Sequence, residues 1–155
     1  MLAVISILGM IALDQLVKWW AVHVLMQVGD IPLWDGVFHL TYIENRGSAF
    51  GLFLGQRTLF MILTPLVLAA ILLALWRGII QTRVGKWSLY LLFGGAVGNL
   101  IDRILRGYVV DLFYFKLINF PVFNVADIFV CAGAALLFFY IQFQHKTPEK
   151  VEGNE

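Results

Sequence analysis

Four stretches of this chain share a length and a greasiness that few folds can use: Leu2 to Leu25, Thr58 to Trp76, Trp87 to Arg106 and Val122 to Phe143. Each approaches the roughly 20 residues that an α-helix needs to cross the hydrocarbon of a bilayer. Backbone N–H and C=O groups in lipid have no water to pair with, so each segment must satisfy its own, and four helices follow. The composition agrees. Of the 155 residues 61% are hydrophobic and only 14% charged, with a mean hydropathy of +0.84, which no ordinary water-soluble domain of this size shows. The expected architecture is a single all-α integral membrane domain over residues 1–155, four transmembrane helices carrying a small strand-rich outer platform.

The first run differs from a cleaved leader. It lacks a basic start, exceeds the usual apolar length and carries Asp14 and Lys18, so it is read as a retained helix. The connection "RGIIQTRVGK" holds Arg77, Arg83 and Lys86 and no acid, which assigns it to the cytoplasmic side. With an even number of spans both termini are expected there too, including a tail over 144–155 whose small polar and charged residues suggest disorder. A net charge of +1 leaves no footprint for nucleic acid. Cys131, the one cysteine, has no disulfide partner in the chain and is assigned to packing.

The outer segment 26–57 is long for a helix connection and unusually apolar. In "GVFHLTYIEN" the residues Val37, His39, Thr41 and Ile43 alternate with Phe38, Leu40 and Tyr42, as in a strand. Trp34, Phe38, Tyr42, Phe50 and Phe53 suit the headgroup level of a membrane. The β-branched and aromatic run "YVVDLFYFKLI" between the last two spans can add a further strand.

Ionisable residues inside spans mark function by default, because a central Asp, Lys or Arg costs at least about 2.5–3.5 kcal/mol. Asp14 and Lys18 lie four apart on one helix face, which suits an internal ion pair that orients the helix. In "GGAVGNLIDR" the residues Asn99, Asp102 and Arg103 share a face, while Gly94, Gly95 and Gly98 admit a neighbouring backbone. Polar glue between helices explains the glycines; three polar groups together point further, to a site. Asp111 and Asp127 flank a reversal of the chain, so both carboxylates can occupy the outer end of the bundle. If Asn124 caps the last helix, Asp127 is its third residue, where a carboxylate is favoured by about 0.3–1 kcal/mol, and capping alone would account for it. Asp111, between Val110 and Leu112, has no such explanation.

Two carboxylates at a partly dry site cannot both ionise easily, so they share a proton near neutrality. One can then deprotonate an attacking water while the other polarises a carbonyl and serves as acid. Other chemistries fit less well. His23, His39 and His145 lack ligand spacing; Ser6, Ser48 and Ser88 lie in no nucleophile turn; no phosphate-binding glycine loop is present.

Five strings in order, "DQLVK", "NRGSAFG", "GNLIDR", "GYVVDLF" and "FNVAD", resemble lipoprotein signal peptidase, or signal peptidase II, over nearly the whole chain. The resemblance implies a bacterial inner-membrane aspartyl protease that cuts diacylglyceryl-modified prolipoproteins before the lipidated cysteine. Asp111 and Asp127 would be the catalytic dyad. Asn45, Gly47, Asn99, Arg103 and Asn124 would line the substrate site, and Asp14, Lys18, Gly98, Asp102 and Ala126 would support it. No metal or cofactor is implied, and the partners are membrane lipid, prolipoproteins and cyclic-peptide inhibitors of the globomycin type. Leu112 and Ile128 depart from the family pattern, where Phe and a small hydroxyl residue are common. Two other classes compete: a proton-coupled transporter with Asp14, Asp102, Asp111 and Asp127 as a relay, and a non-enzymatic assembly factor using the platform.

Overall fold

The structure, a computed structural model, describes residues 1–47 and 57–144. Phe50, Phe53 and the rest of 48–56, and the tail beyond residue 144, lie outside the described residues. The chain runs α1 (Leu2–Val28), β1 (Asp30–Trp34), β2 (Phe38–Asn45), α2 (Arg57–Trp76), α3 (Arg83–Leu105), β3 (Val109–Phe115) and α4 (Val125–Gln144). All four helices are long and apolar enough to cross a membrane.

Hydropathy locates the helices but misplaces several ends. α1 is α-helical to Trp20, passes through a π-helical turn at Ala21–Leu25 and continues to Val28. It stops at Gly29, whose φ of 90° is readily reached only without a Cβ. α3 begins at Arg83, not Trp87, because the Thr82 hydroxyl accepts the Gly85 N–H at 3.1 Å and caps the helix. Arg83 and Lys86 therefore stand on its first turn rather than in a loop. α4 begins at Val125 rather than Val122, since Phe123 is held back in a bridge to Phe113 and Asn124 caps the helix.

The sheet is antiparallel in the order β1–β2–β3. Its third strand comes from the α3–α4 connection, so the platform is built from two separate parts of the chain. A bulge interrupts β2: Leu40 pairs with Phe113, but Ile43 pairs with Asp111. Val110 and Leu112 of β3 pack with Ala21 and Leu25 of α1, which docks the sheet on the end of the first helix.

Burial is inverted relative to a protein designed for water. Leu8, Leu16, Leu66 and Phe139 are exposed, whereas Asp14, Lys18, Asp102, Asp111 and Asn124 are each at most 1% exposed. A hydrocarbon solvent asks for this arrangement. The polar groups meet because α3 presents glycines where α1 and α4 approach it. A Cβ at Gly98 would lie 2.6 Å from Oδ2 of Asp14, and one at Gly95 would strike the Ala126 carbonyl.

Candidate active site

The polar interior gathers at one end of the bundle, where α1 and α3 finish, α4 starts and β3 passes between them. Asn124 is its hinge. Its Oδ1 accepts the Asp127 N–H at 2.9 Å, and its own N–H donates to Asp127 Oδ2 at 3.1 Å, a reciprocal cap at the start of α4. With Oδ1 committed to the helix, the amide Nδ2 is turned outward. It donates to Asp111 Oδ1 at 2.6 Å and to Asn99 Oδ1 at 3.1 Å. One residue therefore bonds both carboxylates, Asp127 through its backbone and Asp111 through its side chain.

The remaining oxygens are also claimed. Asn99 donates Nδ2 to Asp127 Oδ1 at 2.7 Å, and that orientation is enforced because its Oδ1 also receives the Lys18 ammonium at 2.9 Å. Asn45 donates Nδ2 to Asp111 Oδ2 at 2.8 Å, while its Oδ1 accepts the Gly47 N–H at 2.9 Å. Each amide is locked in one flip state by a second partner. Burial, and then the nearby charge of Asp127, push the Asp111 carboxyl up to about 7, against the downward pull of the Asn45 and Asn124 amides.

Behind this layer sits a second one. Lys18, 0% exposed, lies 2.9 Å from Asp14 and 3.3 Å from Asp102. Asp14 accepts the Ala126 N–H at 2.9 Å, fixing the residue before Asp127. Asp102 accepts the Val110 N–H at 3.0 Å, fixing the residue before Asp111, and also pairs with Arg106. Gln15, which sequence patterning does not single out, ties Asp14 to the Gly98 carbonyl with bonds of 3.1 Å each. Among the described residues no buried side-chain polar atom lacks a partner.

The expected shared face of Asn99, Asp102 and Arg103 divides. Asn99 and Arg103 line a cavity of about 570 Å³ together with Asn45, Asp111 and Asp127, while Asp102 turns away to Lys18 and Arg106. Arg103 holds its guanidinium 4.8 Å from the centre of the Phe60 ring. The other walls are apolar: Val109, Phe120, Val122, Phe123 and Ile128 among them. Cys131 is not a packing residue. It is exposed on the cavity wall, one helical turn beyond Asp127, and the four-residue spacing was the available signal.

Fold and site together define a polytopic membrane protein organised around two carboxylates, Asp111 buried and Asp127 half-buried. Comparison with known proteins makes this specific. Residues 6–143 match the family described as Signal peptidase (SPase) II. The chain is 45% identical over 148 residues to the lipoprotein signal peptidase of Lactococcus lactis subsp. lactis (strain IL1403), covering 93% of this chain and 95% of that one. It is 42% identical over 144 residues to the lipoprotein signal peptidase of Clostridioides difficile (strain 630), covering 92% and 96%. A bacterial membrane enzyme solved by the in meso method at 2.3 Å superposes with a TM-score of 0.85 at 27% identity, over 99% of this chain and 93% of the other. A second, solved at 1.9 Å, gives 0.82 at 26% identity, over 91% and 92%. The chain belongs to the signal peptidase II family and is an aspartic peptidase, a multi-pass bacterial membrane protein.

Proposed function

We propose that this peptidase removes signal peptides from diacylglyceryl-modified prolipoproteins by activating water between Asp111 and Asp127. The observation that carries the reading is Asn124, whose backbone and side chain bond one carboxylate each. Asp127 takes a proton from water as the water oxygen adds to the carbonyl carbon preceding the lipidated cysteine. Asp111 gives its proton to the carbonyl oxygen, so a neutral gem-diol forms without a covalent enzyme intermediate. Asp127 then passes its proton to the cysteine nitrogen as the C–N bond breaks, and a diol hydroxyl returns one to Asp111. Both carboxyls end in their starting states.

The cavity suits such a substrate. Apolar walls beside a polar floor match a lipidated, membrane-resident peptide, and exclusion of bulk water strengthens the electrostatics at the carboxylates. Asn45, Gly47, Asn99, Arg103 and Asn124 bind or orient the peptide, and Asp14, Lys18, Gly98, Asp102 and Ala126 support the pair. Arg77 in the α2–α3 connection, with Arg83 and Lys86 on the first turn of α3, supports placing this end of the bundle in the cytoplasm with both termini. The sheet and the carboxylates then face outward, where a signal peptide ends. The same cavity would admit membrane lipid and globomycin-type cyclic peptides.

Purified protein incubated with a lipidated and an unlipidated form of one precursor tests the reading. Cleavage confined to the lipidated form is the expected result, and cleavage of neither form would remove the proposal. The pH profile adds an independent check. Asp111 acts as the acid, and its protonated fraction falls once pH passes its value of about 7. Turnover is therefore expected to decline about tenfold per pH unit on the alkaline side. A rate still rising at pH 9 would assign the proton elsewhere.

A further inference from the structure

A second cavity, of about 610 Å³, opens beside the first, and Phe120, Pro121 and Val122 wall both. The strand β2 runs from one to the other. Its residues His39, Thr41 and Ile43, on either side of the bulge, line the second cavity, and Asn45, two residues beyond Ile43, is bonded to Asp111. From Ile43 back to His39 is about 14 Å of strand. An extended peptide leaving the carboxylates alongside β2 would place about four residues in this space.

The polar lining of the second cavity is unequal. His39, buried, accepts the Gly36 N–H at Nε2, 3.2 Å away, and so donates from Nδ1 to Asp30 at 2.7 Å. That bond engages Asp30. Lys116, exposed in the same lining, makes no ion pair among the described residues. The cavity thus presents a cation open to a ligand, whereas its carboxylate is already engaged. Its other walls come from the sheet and the turn after it, not from the apolar helices.

We propose that this cavity receives the stretch of substrate that follows the scissile bond, and that Lys116 favours an acidic side chain a few residues beyond the lipidated cysteine. The proposal rests on the peptidase reading and extends it to the part of the substrate that leaves with the mature protein. An apolar signal helix belongs in hydrocarbon beside the spans; the polar sheet-lined cavity suits the chain on its way to water.

The test uses lipidated peptides in which a single Asp, Gln or Lys is walked through the second to sixth positions beyond the cleavage site. Wild-type protein is compared with Lys116→Gln and Lys116→Glu. At one or two positions the wild type should prefer Asp over Lys by about two- to fivefold in kcat/KM, mostly through KM, and lose that preference in high salt. Lys116→Glu should reverse it. A peptide ending just after the cysteine should be cut equally by all three proteins, which shows that the variants are folded. Absence of any positional preference in the wild type overturns the proposal. So does a Lys116→Glu effect that is the same for every peptide, which would assign the lysine to lipid headgroups. If the wild type cuts none of the peptides, the peptidase reading fails instead.

Discussion

Replacing Asp127 with asparagine lowers turnover of a lipidated precursor by about 1,000-fold or more while the folded protein persists. Asparagine keeps the size of the side chain and one oxygen, which can still accept from Asn99 or from the Asn124 backbone. It cannot take a proton from water. Asp111→Asn has an effect of the same order for the complementary reason, since an amide cannot hand a proton to the carbonyl oxygen. Because the two groups act as one unit, the double variant is expected to be no slower than either single one. Single-turnover cleavage, read beside helical content and monodisperse elution, checks this. Substantial cleavage by either single variant would exclude the dyad, whereas an altered proton flux without a cleavage defect would favour a proton relay.

The second large effect is on stability. Lys18→Met leaves the buried Asp14 without its cation, while Asp102 retains Arg106. Breaking a buried pair by removing one partner typically costs about 3–5 kcal/mol, and that is the expected loss. Combining it with Asp14→Asn should restore much of this, because the stranded charge goes while an oxygen remains to accept the Ala126 N–H at 2.9 Å. Unfolding in mixed detergent micelles would measure both. Equal stability of Lys18→Met and wild type would mean that the lysine is dispensable to the fold. Activity of the double variant then reports separately on Asn99, whose Oδ1 loses the ammonium and keeps only the Asn124 amide as donor.

Much of this is legible in the sequence. Length and hydropathy identify four helices because lipid leaves the backbone no alternative. The cap made by Asn124 and Asp127 is a short-range pattern, readable across three residues. What patterning cannot supply is the partner of a polar group far along the chain. Lys18 reaches Asn99 across 81 positions, and Asp14 reaches Ala126 across 112. The shared face of Asn99, Asp102 and Arg103 was correct as helix geometry, but the three project over an arc wide enough to meet different neighbours. Asp102 met Lys18 and Arg106; the other two met the cavity. A hydropathy window misplaces the start of α3 because Arg83 and Lys86 look like loop residues to it, and it does not see that Thr82 can cap.

The bulge in β2 sets the phase of everything beyond it. Continuing the Leu40–Phe113 register without it would set Tyr42, not Ile43, opposite Asp111, and Asn45 would point from the other side of the sheet. The carboxylate would then lose the amide that now lies 2.8 Å away. Between Leu40 and Ile43 the number of residues thus matters more than their identity. A side chain there can be exchanged with modest consequence, whereas a single residue lost would reach Asp111 without altering any residue that touches it.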